Sequence, residues 1–423
     1  MIRLFFAALL LAAAHCAQAQ WPENIQAPPP AYKGEIRRGA DGKLMVQETK
    51  KKAGNVDGVA QPATMFVGRQ EKISTLTEAA KLARSGEIIE IRPGDYRGQP
   101  AVWTQHNLLI RGGPGARPVM IADGKSAEEK AIWIVRGGSV RIENIEFRGA
   151  RVADGNGAGI RFERGQLTVH RCAFVDNEMG ILTGNLPEMT LTVSDSEFAA
   201  APHHEGTLHH LLYVGTIGRF ALSGSRFEGG YIGHLVKSRA RENDVRYNLL
   251  VDGAEGRASY ELEFPNGGIA HVVGNVIGQS AATKNPVLVS YGAEGPHWPD
   301  NGLFLAHNTL LNDLYTGTFL KVWTEKFPDG VETWVINNLT VGYGDLFPPA
   351  QGRFEGNQSA QRRDLIDYGG VPLRLNGASP LRGSVRIPGH ARGVDLLPTA
   401  EFSFPVGSRS IRPSNALAPG AFQ

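Results

Sequence analysis

LTVHRCAF (167–174), LTVSDSEF (191–198) and FALSGSRF (220–227) decide the fold. Each opens as an alternating apolar–polar run, breaks at small or polar residues and closes on phenylalanine. Alternation at a period of two is the mark of a half-buried β-strand. Related runs lie on either side: RIENIEF (141–147), VRYNLL (245–250), HVVGNVI (271–277), FLAHNTL (304–310) and WVINNL (334–339). The last residues of the eight runs are 147, 174, 198, 227, 250, 277, 310 and 339, in steps of 27, 24, 29, 23, 27, 33 and 29. A second series of short strands falls between them: GIRF (159–162), GILT (180–183), LLYV (211–214), HLVK (234–237), YELEF (260–264), VLVSY (287–291) and FLKVW (319–323).

A repeat of two or three short strands cannot bury its own apolar face. Stacked on its neighbours it can, so the spacing predicts an all-β chain coiled into a parallel β-solenoid. Equivalent positions then form ladders at about 4.8 Å. Asn248, Asn275, Asn308 and Asn337 are expected at one such turn position, where stacked amides can bond along the coil. Cys172 falls at the same place and is expected to be a small core residue. Glycine, 52 of 423 residues or about 12% against a typical ~7%, agrees with many tight turns.

The ends of the chain differ in character. Arg3, the apolar run 4–14 and Ala17-Gln18-Ala19 read as a signal peptide over residues 1–19, too short to span a bilayer. Ala13-Ala14-His15 before Cys16 lacks the usual lipoprotein pattern. The expected mature chain of 423 − 19 = 404 residues is secreted or periplasmic, bears no membrane segment, is monomeric and keeps Cys172 as its one cysteine. It therefore has no intramolecular disulfide. Residues 20–62 read as an extended arm, 63–345 as the coil with its cap, and 346–423 as an irregular segment packed along it. Within the cap, Ser74 or Thr75 is the candidate N-cap of a helix with Leu76, Ala79, Ala80 and Ala83 on its apolar side, ended at Gly86. A helix there covers the open end of the solenoid.

The segment AAKLARSGEIIEIRPGDYRG, the repeats and the closing SPLRGS and LAPGAF resemble secreted right-handed parallel β-helix proteins of the pectate-lyase-like superfamily, over roughly residues 65–423. More narrowly, HLVKSRARENDVRYNLL resembles the segment that carries the catalytic lysine in the chondroitinase-B and alginate-lyase branch, which implies that role for Lys237. That branch has acidic calcium ligands where this chain has Gly230 and Ile232, and its second catalytic residue, an arginine, falls near Pro265. Calcium is therefore not supported by these residues and no cofactor is expected. Arg239 or Arg241 is the candidate for the missing arginine's role.

The chemistry points the same way. Lys237, Arg239 and Arg241 alternate, so in a strand they share one face, and crowding by arginines would disfavour the charged lysine. Such a row matches an acidic polysaccharide, with one carboxylate per uronate. β-Elimination must neutralise that carboxylate, remove the proton at C5 and expel the 4-linked sugar. HHEGTLHHLLYVG (203–215) lies one coil before Lys237, and SYELEFPNGG (259–268) and VSYGAEG (289–295) lie in the coils after it. Lys237, Arg239, His210 and Tyr213 are the candidate catalytic residues, and Arg241, His209, His234, Glu263, Asn266 and Tyr291 the candidate substrate-binding ones. The histidines lack a familiar metal-ligand spacing, so no metal is assigned.

A polysaccharide lyase acting on a uronate polymer is the expected function. The rivals are a hydrolase, with Glu261 and Glu263 as the carboxylate pair, and a non-catalytic glycan-binding solenoid. The basic patch is local and no stacking aromatics are interleaved with its cations, so no nucleic-acid partner is expected.

Overall fold

The computed structural model describes residues 61–423 except 205, 369–370 and 412–416, together with the antiparallel strands Gly34–Arg38 and Leu44–Glu48. The signal-peptide reading of residues 1–19 lies outside the described residues. From residue 65 the chain forms a single-stranded, right-handed parallel β-helix of about 10 turns.

Three ladders of parallel strands make its faces. The first runs through Thr190–Ser194, Arg219–Ser223, Glu242–Arg246, Ile269–Val273, Gly302–Ala306 and Glu332–Ile336. The second runs through Glu146–Arg148, Ala173–Val175, Glu197–Ala199, Arg226–Glu228, Leu249–Val251, Val276–Gln279, Thr309–Asn312 and Leu339–Gly342. The third carries the second series of strands: Met179–Thr183, then β1 (Leu212–Val214), β2 (Val236–Ser238), β3 (Leu262–Phe264), β4 (Val287–Tyr291) and β5 (Thr318–Val322).

Stacking explains why the repeat ends on a large apolar residue. Phe147, Phe174, Phe198 and Phe227 pile up inside the second ladder with ring centroids 5.2, 4.7 and 4.5 Å apart. Leu250, Ile277 and Leu310 continue the column. Its next member is Thr340, not Leu339. The same one-residue shift applies to the asparagines. Nδ2 of Asn248 donates to Oδ1 of Asn275 at 2.9 Å, Asn275 to Asn308 at 3.0 Å, Asn308 to Asn338 at 3.0 Å and Asn338 to Asn357 at 3.0 Å. Asn338, not Asn337, is the ladder member. Asn337 instead takes the left-handed corner at φ 56°, as Tyr247 (57°), Gly274 (69°) and His307 (53°) do in other coils. Cys172 is buried at the equivalent position, its amide bonded to Ser196 Oγ.

At the N-terminal end, helix α1 (Leu76–Leu82) is capped by Thr75, whose hydroxyl accepts from the Glu78 amide at 3.2 Å. Leu76, Ala79, Ala80 and Ala83 are buried with the first coils. The parallel ladders continue past residue 345, through Gly352–Glu355 and Gln358–Ala360. Beyond them three short antiparallel pairs follow, and the chain runs back along the coil. His271 Nε2 meets the Ala391 carbonyl at 3.0 Å, and the Gly407 amide donates to the Gly224 carbonyl at 2.8 Å.

Candidate functional site

Residues paired in a parallel ladder point to the same side. On the third face the outward row reads Arg161, Leu182, Tyr213, Lys237, Glu263, Ser290 and Lys321, one residue per coil. Six of the seven carry a polar or charged group and lie over a core of leucine, valine and phenylalanine. β1, β2 and β3 therefore set Tyr213, Lys237 and Glu263 side by side.

Lys237 Nζ stands 3.3 Å from Glu263 Oε2 and 3.3 Å from Glu294 Oε1. Glu294 comes from the loop after β4 and also takes Arg239, whose Nη2 donates to Oε1 at 2.8 Å and whose Nη1 meets Oε2. Arg239 is fixed further by Nε donating to Tyr213 Oη at 2.9 Å and by Nη1 donating to Asn266 Oδ1. Its backbone carbonyl accepts from Trp298 Nε1 at 2.9 Å. Two cations thus face two carboxylates, and the expected surplus of positive charge around Lys237 is absent. Burial would raise the Glu263 carboxyl, but His234 and Lys237 outweigh it and hold the group below the ordinary carboxylate range. The Arg239 guanidinium does the same for Glu294.

The histidines form their own stack where the chain turns into the third face. His210 lies 4.6 Å from His234 and 5.3 Å from Tyr213 between ring centroids. Burial pushes His210 well below its usual value, with His234, Lys237 and Arg239 adding to it. Burial also lowers His234, against the pull of Glu263. Both rings are neutral near pH 7. Nδ1 of His210 accepts from the His234 amide at 2.9 Å, and Nδ1 of His234 from the Tyr260 amide at 3.3 Å. Each ring therefore carries its proton on Nε2 and is a donor there, not a base. His234 Nε2 is 3.0 Å from Glu263 Oε2, but no donor is aligned on that oxygen, so the pair is an electrostatic contact.

Tyr213, Lys237, Arg239, Glu263, Asn266, His210 and His234 are brought together as the sequence suggested. Three candidates are not. Tyr291 is fully buried, and its hydroxyl donates to the Gly268 carbonyl and accepts from the Gly302 amide. It sits one position after Ser290, so the alternation of β4 turns it into the core. His209 is buried, with Nδ1 3.0 Å from the Pro202 carbonyl on the other side of the corner. Arg241 does not share a face with Lys237: β2 ends at Ser238, Ala240 is buried in the turn, and Arg241 is exposed with only Glu242 at 4.0 Å.

Glu261 and Glu263 also part company. Glu263 faces the trough, whereas Glu261 lies in an inward row between Leu235 and Leu288, fully buried, with neither oxygen bonded. Burial drives its carboxyl well above the ordinary value, and the nearby Asp252 adds to that. Asp252 is pushed up to about 6 by burial, against bonds from the Gly230 and Ala258 amides at 2.6 and 2.7 Å. Gly230 and Ile232 carry no ligand groups, and among the described residues no three His, Cys, Asp or Glu side chains gather as a metal site. The residues present do not fit the calcium of the resembling branch.

The sequence reading left Trp323 out of the site. It follows β5 in the same column as Arg239, its Nε1 bonded to Ser290 Oγ at 3.2 Å. Lys321 and Lys326 stand over its ring at 5.1 and 5.3 Å.

No family model matches the chain, and no curated protein matches it. Among solved structures it is similar to pectate lyase Pel9A, at 13% identity and a TM-score of 0.49 over 76% of this chain and 91% of that one. It is similar to a PL6 family polysaccharide lyase from Pseudopedobacter saltans, at 13% identity and a TM-score of 0.34 over 76% and 97% of the two chains. It is similar also to a GH136 lacto-N-biosidase from Eubacterium ramulus, at 11% identity and a TM-score of 0.38 over 70% and 67%.

Proposed function

We propose that the protein is a polysaccharide lyase that cleaves an acidic, uronate-containing polysaccharide by β-elimination. The observation that carries this reading is the joining of Lys237, Arg239, Tyr213 and Glu294 on one outward face. Arg239 holds a carboxylate in a two-pronged grip, and in the resting site that carboxylate is Glu294. A uronate carboxylate takes its place on the guanidinium when the polymer binds, which neutralises the charge that makes the C5 proton hard to remove.

Lys237, acting as the neutral amine with its own proton released to solvent, is the base for the C5 proton. As the C4–O bond breaks, the electron pair leaves with the oxygen of the departing sugar. Tyr213 Oη already accepts from Arg239, so its own proton is free to be given to that oxygen. His210 and His234 hold the wall, and Glu263 positions Lys237.

A hydrolase would need one carboxyl that stays protonated near neutral pH beside one that does not. Both trough carboxyls are shifted downward, and the two raised ones, Glu261 and Asp252, are inside the coil. This favours elimination. The test is a panel of polyuronates and glycosaminoglycans read by ultraviolet absorbance of the unsaturated uronate product. Wild type should generate that chromophore on one of them, and Lys237→Ala should lower the rate by about 10²–10⁴-fold with the fold intact. Release of reducing ends without absorbance would make it a hydrolase; binding without either signal would make it a glycan-binding solenoid.

A further inference from the structure

Most arginines along the coil have a carboxylate partner, as Arg136, Arg148, Arg239 and Arg246 do. Arg161 does not. It stands on the outward row of the third face, in register with Leu182, Tyr213 and then Lys237. Three rungs of about 4.8 Å place it about 14 Å up the coil from Lys237. Its Nε is buried and makes no hydrogen bond. Glu163, two residues along, acts on it electrostatically, but the Glu163 oxygens are committed to Lys130 at 2.9 Å and Arg136 at 2.6 Å. Glu128 is shared between the same two cations. Three cations, Lys130, Arg136 and Arg161, therefore face two carboxylates, Glu128 and Glu163, and 3 − 2 = 1 positive charge is left uncompensated. It falls on the partly buried member. A desolvated guanidinium with an unmade bond is costly unless an anion completes it.

We propose that Arg161 forms a separate anion subsite, three coils from Lys237, that takes the carboxylate or sulfate of a sugar further along the same polysaccharide. The inference rests on the polysaccharide reading above and adds to it a length requirement. A monosaccharide at Lys237 does not span about 14 Å, whereas a polymer laid along the helix axis passes both cations. Between them Leu182 gives an apolar floor and Tyr213 a ring for sugar faces. Arg161 is a binding residue in this account and touches none of the reacting atoms.

The experiment measures binding, not turnover. Lys237→Ala serves as the background, and affinity electrophoresis in gels of polygalacturonate, alginate or chondroitin sulfate gives dissociation constants for the full chain, beside size-graded oligosaccharides of whichever polymer retards it. Arg161→Met keeps the stem and removes the charge; Arg161→Lys keeps the charge. Arg161→Met should weaken polymer binding about tenfold or more, since hydrogen bonds to charged groups are of that strength. It should flatten the salt dependence and leave the affinity for a disaccharide unchanged, and Arg161→Lys should recover much of the loss. Equal weakening for disaccharide and polymer, or unchanged polymer binding in Arg161→Met, overturns the subsite while leaving the site at Lys237 standing. Absence of retardation of the Lys237→Ala parent by any of the three polymers overturns the polysaccharide reading and the subsite with it.

Discussion

Lys237 and Glu263 oppose each other on neighbouring rungs, with Nζ 3.3 Å from Oε2, and Glu263 is almost wholly buried. A buried carboxylate beside a lysine at the edge of the trough fixes where the ammonium stands. Glu263→Gln keeps the shape and removes the charge. Lys237 keeps Glu294 as its other partner, so the expected result is a functional loss more than a structural one. On the substrate found by screening, kcat should fall by about 10-fold or more with KM little changed, because the lysine is displaced from its working position. An unchanged kcat in steady-state assays would detach Glu263 from the chemistry.

The same carboxyl sets an acid limit on stability. Its proton affinity is lower in the folded protein than the ordinary value of 4.5, so its contribution is fully present above about pH 4.5. That contribution is lost as the pH falls through the lower, folded value. Urea unfolding should show wild type more stable than Glu263→Gln at pH 7, and the gap should close below pH 4.5. A gap that widens on acidification would mean the local charges act in the opposite sense.

Much of this was readable in advance because the coil is periodic. Aligning residues 159–162, 180–183, 211–214, 235–238, 261–264, 288–291 and 319–322 puts Arg161, Leu182, Tyr213, Lys237, Glu263, Ser290 and Lys321 in the third place of each block. That row is the trough. Tyr291 was misplaced because its fourth place has the opposite parity, and Arg241 because parity ends where the strand does, at Ser238. The slip from Asn338 to Asn337 arose because two adjacent asparagines fit either frame. Glu294 and Trp298 were harder. They belong to the excursion between β4 and the strand Gly302–Ala306, which is longer than the turns at that place in the three coils before it, so no repeat position predicts that Glu294 turns back onto Arg239.

Metal removal tests the way the trough balances its charge. Glu263 and Glu294 are engaged by Lys237 and Arg239, Asp252 binds two backbone amides, and positions 230 and 232 offer only glycine and isoleucine. In the elimination proposed above, neutralisation of the substrate carboxylate then falls to Arg239. Incubation with EDTA followed by assay in metal-free buffer should leave the rate unchanged. A loss restored by calcium would show that a cation, not Arg239, carries the negative charge of the uronate.

Glu261 poses the opposite problem to Glu263. It interrupts a row of leucines, its two oxygens are unbonded, and it is fully buried. Its folded proton affinity is raised, so it is tolerated as a neutral acid and costs stability as the pH climbs from about 4.5 towards its elevated value. Glu261→Leu restores the apolar row between Leu235 and Leu288. At pH 7 it should stabilise the protein by about 1–3 kcal/mol, the usual cost of a buried polar group without partners. Near pH 4 the gain should shrink, since the unfolded carboxyl is then largely protonated too. Chemical denaturation at the two pH values decides it. Equal gain at both would assign the effect to packing alone, and a destabilised variant would mean that the carboxyl has a partner it cannot lose.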